Sequence, residues 1–268
     1  MKYRLFLSDF DGTLVRADGT VSEGNRRAIA QYTQAGGIFA VCTGRALSSI
    51  LPRVRELGLC GLVAAFQGAT IADIRSGALI KNACFPRGAA DGILRRLENE
   101  KMHIHVYTVD AFYCNVDDVY LHEYEAVCGI RARIQPHLAD HLAGSGEDVV
   151  KILVMVPPQS RIAVQTRLQE ALGDDYFVTC SAEFLVEIMP KDQNKGAAVR
   201  ALSAHFGIPR GETAAIGDQL NDLPMLEAAG GKFAVENAQP QLKAIASVVA
   251  SNEEDGVAEA ITRYAMEG

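Results

Sequence analysis

Short apolar runs alternate with amphipathic stretches at both ends of this chain, and the middle follows a different rhythm. Arg4-Leu5-Phe6-Leu7-Ser8 is a compact apolar run that reads as a buried strand and leads straight into Asp9-Phe10-Asp11-Gly12-Thr13. Ser22 is placed as an N-cap for a helix running to Gln34, which Gly36-Gly37 ends. Ile38-Phe39-Ala40-Val41-Cys42 predicts a second buried strand, short and flanked by glycine. Thr43-Gly44-Arg45 follows, then a helical stretch to Leu57 in which Pro52 predicts a kink or a restart. Residues 62–66 form a third apolar run, and this alternation predicts a parallel sheet with helices on both faces.

Past Gln67-Gly68-Ala69 the pattern changes. Residues 70–74 and 78–81, separated by Arg75-Ser76-Gly77, read as a hairpin. Residues 86–190 then carry a separate α+β pattern. Helices are predicted at 88–101, 119–128 and 160–172, and strands at 103–108, 111–116, 149–156, 177–180 and 184–188. Strict alternation returns at Lys195, with helices at 195–206, 223–229 and 240–246 and a closing helix from Gly256. Strands are predicted at 213–216, 233–235 and 247–250. The expected architecture is α/β: a Rossmann-like parallel core built from residues 1–85 and 191–268, interrupted by an α+β domain at 86–190.

At 268 residues the chain suits one large domain or two that share it. Its 49% apolar and 22% charged residues are ordinary for a globular protein, and a net charge of −7 argues against a nucleic-acid surface. No apolar window reaches the roughly 18 residues that a spanning helix needs. Asp9 and Asp11 cut short any signal-peptide core, so a cytoplasmic protein is expected. The six cysteines, at 42, 60, 84, 114, 128 and 180, show no Cys-x-x-Cys pair. Buried reduced thiols are expected rather than disulfides or a zinc site.

Ligands of open parallel sheets gather at the carboxyl ends of the strands. Those ends carry Asp9 and Asp11, Thr43-Gly44-Arg45, Gln67-Gly68-Ala69, and Gly217-Asp218-Gln219-Leu220-Asn221-Asp222, while Lys195-Gly196 opens a helix on the same side. Like charges buried together need a cation or a proton to compensate them. Carboxylates with a lysine, a hydroxyl and exposed backbone amides suit a magnesium–phosphate pair, because Mg²⁺ takes oxygen ligands and keeps phosphate and water in its shell.

In these motifs the chain resembles the haloacid dehalogenase superfamily of phosphotransferases, and within it the Cof-type branch with a large α+β cap after the third strand. The resemblance rests on Asp9-x-Asp11-Gly12-Thr13, Thr43-Gly44-Arg45, Lys195-Gly196 and Gly217-Asp218-x-x-Asn221-Asp222. Val235-x-Asn237-Ala238 and Ser251-Asn252-x-x-Asp255-Gly256-Val257-Ala258 extend it to nearly the whole chain.

The resemblance implies a nucleophilic Asp9 that forms an aspartyl phosphate, and Asp11 as the acid and then the base. It implies Mg²⁺ held by Asp9, the backbone carbonyl of Asp11 and Asp218. Thr43 and Lys195 would grip the phosphoryl oxygens, with backbone N–H groups near Gly12 and Gly44. Asn221 would bond the phosphoryl group or a metal-bound water. Asp222 would support the metal shell or orient Lys195, and Arg45 completes the Thr-Gly-Arg motif beside the phosphate. The implied activity is a Mg²⁺-dependent phosphatase for small phosphorylated metabolites, with sugar phosphates favoured. A phosphotransferase or mutase, and a non-catalytic sugar-phosphate sensor, are the alternatives. The 86–190 domain would be the cap that sets specificity, with Arg131, Arg133 and Ser181 as candidate contacts to the leaving group.

Three positions depart from the family pattern: Gln67, Gln219 and Glu236. Gln67 and Gln219 are placed to project toward the cleft and bear on the substrate. Other features carry little. His137 and His141 have zinc-compatible spacing with no third ligand apparent, and His103-x-His105 shares one strand face, again without partners. Tyr107, Tyr113, Tyr120 and Tyr124 read as core or rim of the inserted domain.

Overall fold

The structure, a computed structural model, describes residues 1–108 and 111–266, and the side chains of all of these except 181 and 182. The candidate contact Ser181 therefore lies outside the described side chains. The chain resolves into two compact units. One comprises Met1–Gly44, Ile50–Asn82 and Asn194–Gly268, and the other Arg45–Ser49 with Ala83–Gln193.

The first unit opens with β1 (Leu5–Ser8), α1 (Glu23–Gln34), β2 (Ile38–Cys42), α2 (Leu47–Glu56), β3 (Leu62–Ala65), β4 (Thr70–Asp73) and β5 (Leu79–Asn82). The inserted unit supplies α3 (Ala89–Asn99), β6 (His103–Thr108), β7 (Phe112–Cys114), α4 (Val119–Cys128), β8 (Arg133–Ile134), α5 (Leu138–Ser145), β9 (Val149–Met155), α6 (Arg161–Leu172), β10 (Tyr176–Ala182) and β11 (Leu185–Pro190). The first unit then resumes with α7 (Lys195–Phe206), β12 (Thr213–Gly217), α8 (Leu223–Ala228), β13 (Gly231–Val235), α9 (Pro240–Lys243), β14 (Ser247–Val249) and α10 (Gly256–Glu259).

The core sheet runs β14-β13-β12-β1-β2-β3-β4-β5, parallel from β14 to β3, with the β4–β5 hairpin added antiparallel. From β1 the order steps one way to β2, and from β12 it steps the other way to β13. Right-handed crossovers then put α1 and α8 on opposite faces. The order reverses between β1 and β12, which is the place where such sheets open a crevice at their carboxyl ends. The strands themselves are apolar on both faces. Phe6 lies 6.2 Å from the Tyr32 ring on α1, 6.3 Å from Phe39 and 6.2 Å from Phe233, while Leu5 and Leu7 are fully buried facing the other way. Each such side chain contributes about 1.5–3 kcal/mol by leaving water.

Alternation divides the inserted sheet into an oily face and a polar one. Its order is β10-β11-β9-β6-β7-β8, antiparallel except for the β7–β8 pair. Ile104, Val106, Ile152, Val154, Val186 and Ile188 form one core with residues of α3, α5 and α6. His103, His105, Tyr107, Lys151 and Glu187 occupy the alternate positions.

Several expectations need correction. A single helix, α2, runs through Pro52 without restarting. The N–H that Pro52 lacks would have met the carbonyl of Ser48, an exposed position where water can replace it. Only Cys42 and Cys114 are buried; Cys60 is exposed and the other three are half-buried. Tyr107 and Tyr113 are core as expected, whereas Tyr120 is exposed.

Candidate active site

Register brings the predicted residues to one level. Ser8 pairs with Ile216 on one side and Val41 on the other, so Asp9, Gly217-Asp218 and Cys42-Thr43 leave the sheet together. Asp9 N–H still donates to the Ile216 carbonyl at 3.0 Å, which holds the Asp9 side chain at the strand end. The chain then turns tightly, with the N–H groups of Leu14 and Val15 converging on the Phe10 carbonyl. Gly12 has φ +80°, and a Cβ there would stand 2.7 Å from Oδ2 of Asp218. Any side chain at Gly12 would displace that carboxylate and strain the turn. Asp9 is buried by this arrangement, whereas Asp11 is exposed.

The centre is a charge cluster. One carboxylate oxygen from each of Asp9, Asp218 and Asp222 lies within 4.8 Å of the others. The Asp11 carboxylate is not part of that group; the resemblance assigned metal binding to its backbone carbonyl. Lys195, 1% exposed, stands at the first position of α7, whose N-cap Asn194 accepts from Ala197 N–H at 3.0 Å. Its Nζ donates to Oδ1 of Asp9 and to Oδ1 of Asp222.

Burial pushes the Asp9 carboxyl well above the usual range against the pull of Lys195, and Asp222 and Asp218 push it the same way. Burial also raises Asp218, seconded by Asp222. Burial works against the Lys195 ammonium, yet Asp222 and Asp9 bind its proton more firmly than water would. Three buried carboxylates against one ammonium leave two negative charges without a partner inside the cluster.

Hydrogen bonds divide the labour among the carboxylates. Asp222 is heavily engaged: Oδ1 accepts from Lys195, and Oδ2 accepts from the N–H groups of Asp218 at 2.9 Å and Gln219 at 3.0 Å. It braces Lys195 and the loop. Gly217 makes the brace fit, because a Cβ there would meet the Asp222 carboxylate at 2.5 Å. Asp218 is steadied by Thr13 Oγ1 at 2.8 Å and Gln219 Nε2 at 3.0 Å.

Thr43 is buried, its N–H bonded to Ala64 O and its carbonyl accepting from Gln67 N–H, both at 2.9 Å; Gly44 is half-buried beside it. Gln67 adopts φ +57° and its Oε1 accepts from Asn221 Nδ2 at 3.2 Å. Asn221 Oδ1 is buried and has no hydrogen-bond partner among the described residues. Arg45 segregates with the inserted unit, where its guanidinium donates to the Val127 carbonyl at 3.5 Å. Within that unit Arg131 bonds Glu125 at 2.6 Å, and Arg133 lies over the Tyr113 ring.

Two supporting side chains, Asn237 and Asn252, carried no role in the sequence reading. Asn237 Nδ2 donates to the Gly12 carbonyl at 2.8 Å, and its Oδ1 accepts from Asn252 N–H at 3.1 Å. Asn252 Nδ2 donates to the Val15 carbonyl at 3.0 Å. Together with Thr13 they pin the turn that follows β1. Asn237 and Asn252 stand in motifs that carried the resemblance, so the signal was present without a geometry to interpret it.

The donor set fits magnesium. It offers only carboxylate oxygen, at Asp9, Asp218 and Asp222, beside a negative surplus that a divalent cation would cancel.

Comparison with known proteins gives a consistent picture. The profile of the haloacid dehalogenase-like hydrolases matches residues 6–261. An HMP-PP phosphatase of Cronobacter sakazakii is 30% identical over 90% of this chain and 87% of its own length. A 5-amino-6-(5-phospho-D-ribitylamino)uracil phosphatase of Bacillus subtilis is 29% identical over 93% and 94%. Among solved structures, a haloacid dehalogenase-like hydrolase of B. subtilis superposes with a TM-score of 0.82 at 30% identity, covering 97% of this chain and 99% of that one.

Proposed function

The chain belongs to the haloacid dehalogenase-like hydrolases and is a phosphoric monoester hydrolase; from that premise we propose that it is a Mg²⁺-dependent phosphatase of small metabolites, sugar phosphates favoured, working through an aspartyl phosphate on Asp9. The observation that carries the reading is the buried Asp9–Lys195–Asp222 chain beside Asp218, at the point where the strand order reverses.

In this reading Asp9 attacks phosphorus while Lys195, locked by Asp222, presents its ammonium to the phosphoryl oxygens. Thr43 and the backbone near Gly12 and Gly44 complete the grip; Asn221, whose Nδ2 donates to Gln67 and whose unpartnered Oδ1 can only accept, would take a hydrogen bond from a metal-bound water. Asp11, exposed to solvent, protonates the leaving alcohol and then takes a proton from the attacking water. Asp9, the Asp11 carbonyl and Asp218 would hold Mg²⁺, which when bound screens the repulsion between two anions and polarises the phosphoryl group. Residues 86–190 act as the specificity cap.

A panel of phosphate esters, assayed with and without Mg²⁺, tests the proposal. Release of inorganic phosphate in step with substrate loss is expected. Transfer of phosphate to a second sugar would favour the mutase alternative, and no turnover on any ester would favour the sensor.

A further inference from the structure

The polar face of the inserted sheet gathers a second donor set that the phosphatase reading does not use. The reading of His103-x-His105 as lacking partners fails here, because strand register supplies one. His105 on β6 pairs directly with Cys114 on β7, and His103 shares the same face two residues earlier. Nε2 of His103 lies 3.0 Å from Nε2 of His105 and 3.3 Å from Sγ of Cys114, and one ligand atom from each of the three residues lies within 4.8 Å of the others.

Zinc–nitrogen bonds of about 2.0–2.1 Å and a zinc–sulfur bond of about 2.3 Å place tetrahedral donors roughly 3.3–3.6 Å apart. The two edges at His103 need only a few tenths of an ångström of opening. We propose that His103, His105 and Cys114 form a binding site for a thiophilic divalent cation of the zinc class, inside the inserted unit and separate from the catalytic cluster.

His103 has the outer contact that a metal-ligating histidine usually makes. Asp118 Oδ2 stands 3.5 Å from Nδ1 of His103. That carboxylate favours the His103 proton on Nδ1, the tautomer that turns the Nε2 lone pair toward Cys114 and His105. Two imidazole nitrogens that face each other this closely need either one proton or one cation between them. His105 Nδ1 is buried without a hydrogen-bond partner among the described residues, whichever of the two Nε2 holds.

Burial lowers the pKa of both histidines, keeping them neutral as ligands must be, while it pushes the Cys114 thiol up to about 11. Binding therefore breaks the S–H bond, forms the sulfur–metal bond and releases one proton to solvent, with no change of oxidation state. His103, 14% exposed at its side chain, marks the way in, and a water would complete the four ligands. The ion would tie β6 and β7 to the start of α4, where Asp118 is the N-cap.

Cobalt(II) titration of the full-length protein, with zinc displacement, tests the proposal. One cobalt per chain should give thiolate-to-metal charge transfer and the visible bands of a tetrahedral site, both erased by zinc. Cys114→Ser should abolish the charge transfer, whereas Cys42→Ser and Cys60→Ser should leave it unchanged. Asp118→Asn keeps the helix cap but removes the carboxylate, and should weaken binding by roughly 10–100-fold. Should Cys114→Ser misfold, His103→Gln carries the same test through loss of the tetrahedral bands. No thiolate band in the parent protein, or a band that survives Cys114→Ser, overturns the site.

Discussion

Two lysines are buried in this molecule, and their surroundings differ in a way that separates chemistry from architecture. In the inserted sheet, Lys151 meets Glu187 at 3.1 Å, each 2% exposed, one charge against one. In the core, Lys195 meets Asp9 and Asp222 with Asp218 alongside, one positive charge against three negative. The first pair is neutral in itself. The second carries a surplus that the fold leaves for something else to neutralise, and burial lifting both Asp9 and Asp218 registers the same strain. Imbalance of buried charge, more than burial alone, marks the place where a ligand belongs.

Variants can break this contrast from either side. Asp9→Ala should lower turnover by roughly 10⁴-fold or more while preserving the far-ultraviolet circular dichroism, since it removes the proposed nucleophile and one surplus charge together. Near-normal turnover in that variant would sink the mechanism. Asp218→Ala should raise the Mg²⁺ needed for half-maximal turnover by at least the roughly 10–100-fold typical of lost outer-shell partners. An unchanged metal titration would remove Asp218 from the ligand set.

In the inserted unit the expected effects fall on stability. Glu187→Ala leaves Lys151 buried without its carboxylate and should cost about 3–5 kcal/mol in denaturant unfolding. The double change Lys151→Met with Glu187→Leu should recover most of that loss, because a matched pair can be exchanged for apolar packing. Failure of the double variant to recover would assign Lys151 more than a structural part. Asn237→Ala, which unpins the Gly12 carbonyl at an exposed position, should cost only about 0.5–1.5 kcal/mol, with a modest fall in turnover.

Much of this was legible in the sequence because it depends on local pattern. The Leu5–Ser8 strand, the Gly12 turn and the Ser22 cap declare themselves within a few residues, and the Asp9, Lys195 and Asp218 motifs stand where strands end or helices begin. The unreadable part depends on pairing across long separations. Asn221 meets Gln67 across 154 residues and Asn237 reaches Gly12 across 225, and neither side chain names its partner. Asp222 could be read as a metal support or as a brace until its three donors were located. Cys114 joins His103 and His105 only because β7 pairs with β6 in one particular register, and a slip of one residue would turn it to the other face.

The neighbouring strands β1 and β12 come from distant parts of the chain, with the inserted unit between them. During synthesis the first strand emerges with its aspartate long before the lysine and second aspartate that give it meaning. Such non-local closure comes late in folding. A nascent or prematurely ended chain thus holds an incomplete centre, and competence to cleave phosphate arrives together with completion of the sheet.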